Sequence, residues 1–138
     1  MFLLDTNVLS ELMKLHPEPK VMEWIDAQLE SDLYFCAISK GEIEWGIALL
    51  PEGKRKHALA EVALQVFILF EGRCLAYSCE VSPFYRDIAI TAKQLGRPMS
   101  VEDGMIAAIA QANNAVLVTR NEVDFDFLPN LTLVNPWV

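Results

Sequence analysis

Four carboxylates stand where a fold can put them to chemical use: Asp5, Glu42, Asp103 and Asp124. Each falls just after an apolar run or at the start of a helical pattern. Asp5 is the most telling, because it closes the run Phe2-Leu3-Leu4, and a charge at the end of a buried strand is costly without a purpose. Neither imidazole nor thiolate accompanies them. His16 and His57 lie far apart, and Cys36, Cys74 and Cys79 show no C-x-x-C spacing, so they read as buried or free thiols. Carboxylates alone suit a hard, oxygen-seeking cation such as Mg2+ or Mn2+. That ion lowers the pKa of a bound water and offsets charge on a phosphate under in-line attack, which is the chemistry of phosphodiester hydrolysis.

Local sequence offers a plainer role for two of the four. Ser39-Lys40-Gly41-Glu42 matches S-x-x-E, the capping box in which serine and glutamate satisfy each other's backbone amides, and Ser100-Val101-Glu102-Asp103 is a close variant. On spacing alone, capping comes ahead of catalysis at both. Asp124, in Asn121-Glu122-Val123-Asp124, reads by default as a solvated loop acid.

The elements that must position these residues follow from apolar periodicity. Strands are expected at Phe2–Leu4, Leu33–Ile38, Cys74–Tyr77, Ala115–Thr119 and Leu131–Val134. Asp5 or Thr6 caps a first helix through Val8, Leu9, Leu12 and Met13, interrupted by Pro17 and Pro19. A second runs from Val21 to Leu29, a third opens at Ser39, and a fourth spans Lys54 to Phe70. Ser82-Pro83 starts a fifth that Gly96 and Pro98 end. Ser100 starts a sixth, which is apolar almost all round and therefore belongs inside. Alternating strands and helices imply an α/β fold: a central parallel sheet of about 4–5 strands flanked by helices in three layers. In such sheets, sites form at the carboxyl ends of the strands, where these acids fall. No repeat or linker divides the 138 residues, so residues 1–138 read as one domain.

Composition narrows the function. A hydrophobic share of 53% against 22% charged excludes a disordered chain. No apolar run approaches the ~20 residues of a membrane-spanning helix, and Met1-Phe2-Leu3-Leu4 lacks a secretory signal, so a cytoplasmic protein is expected. The net charge of −8 argues against nucleic-acid binding through bulk electrostatics. Any such role must come from a local site, and an acidic face is a good target for an arginine-bearing partner.

Several segments resemble the PIN-domain nucleases, in order and over essentially the whole chain. Leu4-Asp5-Thr6-Asn7-Val8-Leu9 resembles their opening strand and loop, and Ile38 to Ile47 the segment carrying a second acid. Gly96 to Asp103 is similar to the stretch carrying the third. Leu117-Val118-Thr119-Arg120-Asn121, then Asp124-Phe125, resembles the fourth segment, and Val134-Asn135-Pro136-Trp137 a common ending. Within the family the chain looks like the VapC-like toxins of bacterial toxin–antitoxin pairs. The resemblance implies an endoribonuclease using Mg2+ or Mn2+, with Asp5 and Asp103 as leading metal ligands and Glu42 completing the set or holding a metal-bound water. Thr6, Asn7, Ser39 and Thr119 would orient carboxylates or phosphate. It also implies a homodimer and a neutralising antitoxin, expected from the charge to carry a basic tail. Many relatives have an acid soon after the Thr-Arg pair, whereas here Asn121 stands there and offers only a carbonyl oxygen. Asp124 is the expected substitute, as an outer or second-metal ligand. The rival from another class is a catalytically silent module of the same fold, acting through protein or RNA contacts. It would be free to lose the acids, and Asp5, Glu42 and Asp103 are all present. A receiver domain would need an aspartate where Tyr77-Ser78 stands, and a haloacid-dehalogenase-like phosphatase would open D-x-D-x-T.

Overall fold

The apolar runs become strands of at most four residues, short enough that they depend on cover from both faces. A computed structural model describes residues 1–138. Strands β1 (Phe2–Leu4), β2 (Leu33–Cys36), β3 (Cys74–Leu75), β4 (Val116–Val118) and β5 (Leu133–Val134) form a parallel sheet in the order β3-β2-β1-β4-β5. Helices α1 (Thr6–Leu12), α2 (Pro19–Asp26), α3 (Ala37–Ala48), α4 (Lys54–Leu69), α5 (Ser82–Gln94) and α6 (Val101–Ala112) make the crossovers. The expected three-layer α/β architecture is the one observed, with five strands. No helix is long and apolar enough to cross a membrane.

Alternation along the central strands divides the core. Leu3 pairs in register with Leu117, and both face a cluster built largely from α5 and α6. Leu4 pairs with Val118, and both face the cluster of α1, α2, α3 and α4. All four side chains are fully buried, which is why β1 and β4 read as continuous apolar runs rather than alternating ones. The chain builds outward from β1 through β2 to β3, then returns to place β4 on the other side of β1. The carboxyl ends of β1 and β4 therefore flank the point where strand order reverses, the place where such sheets form sites.

Helix ends follow the sequence where the signals are local. Asp5 caps α1, its carboxylate accepting from Thr6 N, and Ser100 caps α6, its hydroxyl accepting from Asp103 N at 3.1 Å. Gly96, at φ 65°, closes α5 as the left-handed turn requires. The capping box expected at Ser39 is not formed. β2 stops at Cys36 instead of running to Ile38, α3 begins at Ala37, and Cys36 is its N-cap. Ser39 lies inside the first turn, fully buried, with its hydroxyl engaged by a residue from α1. α2 ends at Asp26 rather than reaching Leu29, which is exposed and has no core contact to extend the helix for. β3 and β5 are each two residues long, shorter than the runs from which they were expected.

The core helix α6 packs closely on α5 at Gly104. A Cβ there would lie 2.9 Å from Tyr85 Cε2. Alanine gains about 1 kcal/mol in helix propensity, but the overlap costs about 1–3 kcal/mol. We expect Gly104→Ala to lower stability by about 1 kcal/mol net in urea unfolding. A stabilised variant would mean that the Tyr85 ring gives way freely.

Candidate active site

At the carboxyl ends of β1 and β4 lies an open cavity of about 420 Å3. Asp5, Glu42 and Asp103 line it, together with Thr6, Asn7 and Asn121. These six come from the end of β1, from α1, α3 and α6, and from the loop after β4. Ser39 and Thr119 are fully buried and support the wall from behind. Asp124 is exposed, in a 3-10 turn (Glu122–Asp124), and does not line the cavity, yet its charge bears on Asp103.

Asp5 is the most constrained of the acids. It is 4% exposed, and its two oxygens accept three hydrogen bonds. Thr6 N donates to Oδ1 at 2.8 Å, while Thr119 Oγ1 (2.8 Å) and Asn7 Nδ2 (3.2 Å) donate to Oδ2. Thr119 Oγ1 also accepts from Asn121 N at 3.1 Å, so one hydroxyl ties the β4 end to the β1 end. Burial pushes the Asp5 carboxyl above its ordinary pKa, with the Glu42 charge adding to it, while the bonds from Thr119, Thr6 and Asn7 pull the other way. Thr119→Val would leave Asp5 without its shortest side-chain donor. A loss of about 1–3 kcal/mol is expected in chemical denaturation, with Thr119→Ser restoring most of it.

Glu42 is aimed by a relay from beneath. Thr6 Oγ1 lies 2.7 Å from Glu42 Oε1 and 2.8 Å from Ser39 Oγ. The Thr6 hydroxyl has one proton, which the carboxylate takes, so the Ser39 hydroxyl donates to Thr6. Ser39 in turn accepts from Cys36 Sγ at 3.7 Å, and burial pushes the Cys36 thiol up, keeping that proton in place. Ser39 and Thr6 thus hold the glutamate that a capping box would have turned back onto its own helix. Cys74 and Cys79 are free and exposed, and all three thiols are unbridged, as expected.

Asp103 is half-buried at the first turn of α6, and its carboxyl is pushed up to about 6. Loss of hydration is the largest cause, followed by the charges of Asp5, Asp124 and Glu42. Three other carboxylates therefore act on one, and the cavity wall carries an excess of negative charge. As the side chains stand, no three acids converge tightly enough to grip an ion together. The donors nonetheless suit a hard cation, since every candidate ligand offers oxygen and the cavity is open.

The wall also contains Ser10, Glu11 and Lys14, which the sequence reading did not single out. Asn7, Ser10, Glu11 and Lys14 recur at i, i+3, i+4 and i+7, the polar stripe opposite Val8, Leu9 and Leu12, and that period was the available signal. Glu11 is buried and holds the turn into α2, accepting from Lys14 Nζ and Glu18 N, each at 2.9 Å. The Lys14 bond holds its carboxyl below the usual range.

The PIN domain matches residues 2–128. The chain belongs to the PIN-domain family. It is 38% identical to VapC ribonuclease Y4jK of Sinorhizobium fredii, over 99% of this chain and 98% of that one. It is likewise 38% identical to Toxin FitB of Neisseria gonorrhoeae, over 99% of each. The structure of FitAcB from the same organism superposes with a TM-score of 0.90 at 37% identity, covering 99% of each chain. This PIN domain is thus a VapC-like member.

Proposed function

We propose that the chain is the toxin of a toxin–antitoxin pair, an endoribonuclease that hydrolyses RNA with the help of Mg2+ or Mn2+. The observation that carries this reading is the convergence of Asp5, Glu42 and Asp103 on one cavity at the strand-order switch, in a chain whose full-length relatives include a VapC ribonuclease and Toxin FitB. Residues 1–138 act as one catalytic unit. Asp5 and Asp103 would hold the ion, and Glu42 would complete the set or orient water. When bound, the ion supplies an activated water and offsets phosphate charge. Asp5 needs no rearrangement for this, because Thr119, Thr6 and Asn7 already fix its oxygens. Glu42, held by the Thr6 hydroxyl alone, and Asp103 would have to draw closer to Asp5 to complete the set. The concentrated negative charge also suits a basic tail of a cognate antitoxin, with Arg or Lys laid near Asp5 and Asp103, and homodimers are expected of the toxin itself. The deciding experiment is cleavage of RNA by the purified chain with Mn2+ or Mg2+. Activity that EDTA abolishes and that Asp5→Asn lacks is expected, and a folded, metal-supplied protein that leaves RNA intact would remove the reading.

The role of the fourth acid is open to a sharper test. Asp124 acts electrically on Asp103, whereas Glu122 is occupied, accepting from Asn135 Nδ2 at 3.0 Å. Asp124→Asn should slow cleavage partially, by about 10-fold, and raise the Mn2+ needed, as loss of an outer metal partner does. Glu122→Gln should leave both unchanged. The reverse pattern would assign the outer role to Glu122.

A further inference from the structure

On the rim of the carboxylate cavity, Arg120 and Trp137 form a pair that the hydrolytic chemistry does not use. Two cations line the cavity, Lys14 and Arg120, and Lys14 is tied to Glu11. The Arg120 guanidinium makes no hydrogen bond or ion pair. It sits over the indole of Trp137, 5.2 Å from the ring centroid, while Arg73, Arg86 and Arg97 each reach a carboxylate. Trp137 is the one hydrophobic residue of the cavity wall, and it packs on the α1–α4 core cluster, so it is a fixed support.

The backbone holds this pair in register with the acids. Arg120 N donates to Asn7 Oδ1 at 3.2 Å, and Asn7 Nδ2 donates to Asp5 Oδ2. Trp137 N donates to Asn135 Oδ1 at 2.9 Å, fixing the turn that brings the indole beneath the guanidinium. A planar, exposed cation with its donors free, backed by an aromatic ring and placed beside a phosphodiester-cleaving cavity, matches what an unstacked nucleobase requires. Such bases stack on guanidinium planes and aromatic faces without sequence-specific hydrogen bonds. Duplex RNA keeps its bases stacked and paired and presents no face to such a ledge.

We propose that Arg120, supported by Trp137, is a stacking ledge for an unstacked base of single-stranded RNA, whose neighbouring phosphate is thereby set over Asp5 and Asp103. The inference rests on the ribonuclease reading and deepens it. It makes Arg120 a binding residue for single strands and gives the C-terminal Asn135-Pro136-Trp137 segment a role in substrate binding.

The test uses the full chain carrying Asp103→Asn, which prevents cleavage, and a short single-stranded RNA in which each nucleotide in turn is made abasic. Binding is followed by fluorescence anisotropy. One abasic position should weaken binding by about tenfold, and Arg120→Lys, which keeps the charge but loses the plane, should abolish that dependence. Arg120 is exposed, so the variant is expected to fold, and a melting curve checks this. Equal tolerance of every abasic position, or a dependence that persists in Arg120→Lys, would overturn the ledge. So would the absence of RNA binding altogether. In each of these cases, Mn2+-dependent cleavage by the wild-type chain would leave the ribonuclease reading standing, and its absence would remove that reading separately.

Discussion

Asp103→Asn is expected to abolish RNA cleavage, by about 100-fold or more, while making the metal-free protein more stable at neutral pH. The first figure is a lower bound, since even residues that only support a metal ligand cost 10–100-fold when removed. The second follows from charge. The folded-state pKa of Asp103 is raised from 3.8 to about 6, so between these values the folded protein binds more protons than the unfolded chain. Stability therefore falls as pH rises through that window, and the penalty is complete above about 6. An uncharged asparagine removes it. Melting of the metal-free proteins should show the variant above wild type at pH 7 and the two converging near pH 4. Added Mn2+ should raise the wild-type melting temperature but not that of the variant. If Asp103 is a ligand, protons and cation would compete for the same oxygens, so cleavage at limiting Mn2+ should fall as pH drops, with a midpoint near 6 that moves lower as Mn2+ increases. A variant destabilised at pH 7 would show that Asp103 is not strained, and a midpoint indifferent to Mn2+ would show that it is not a ligand.

Glu42→Gln is the second large effect, expected to reduce cleavage by about 100-fold with the fold intact. Cys36 stands at the N-cap of α3 and Ser39 lies inside its first turn, while Glu42 is engaged by Thr6, so the glutamate carries no capping duty. Glutamine keeps a carbonyl oxygen for the Thr6 hydroxyl, and only the charge is lost. Stability should change by no more than about 0.5 kcal/mol. Thermal melting and a Mn2+-supported cleavage assay on the same preparation separate the two readings. A folded Glu42→Gln that cleaves at the wild-type rate would take Glu42 out of the site and leave Asp5 and Asp103 to act alone.

Both predictions concern residues that the sequence marked for local reasons. An apolar strand that ends in Asp5 shows a buried charge whatever the rest of the chain does. Ser100 could cap α6 and leave Asp103 in its first turn because a cap is a contact over three residues. The nearly unbroken apolar α6, with Ile106 through Ala110 all buried, can only be an interior helix, and the alternation of strands and helices leaves few sheet topologies. The polar stripe of α1 at Asn7, Ser10 and Glu11 was legible too, since residues at helical spacing need no tertiary information to share a face.

What the tertiary structure alone decided are the contacts between distant segments. Ser39 looked like a cap because S-x-x-E is a local pattern, but Thr6, 33 positions earlier, claims its hydroxyl, and a buried hydroxyl goes where its partner is. Thr119 reaches Asp5 across 114 positions, a bond that exists only because β1 and β4 are paired in register. The elevated pKa of Asp103 has the same origin: its causes are burial and three carboxylates brought in from other parts of the chain. The same holds for Arg120 over Trp137, where spacing implies no contact and the close of the sheet at β5 supplies it. Residue type and short-range spacing therefore determined which groups could act and which elements would carry them. Orientation and charge state came from strand pairing, because a carboxylate's donors and its electrostatic neighbours are set by distance in space.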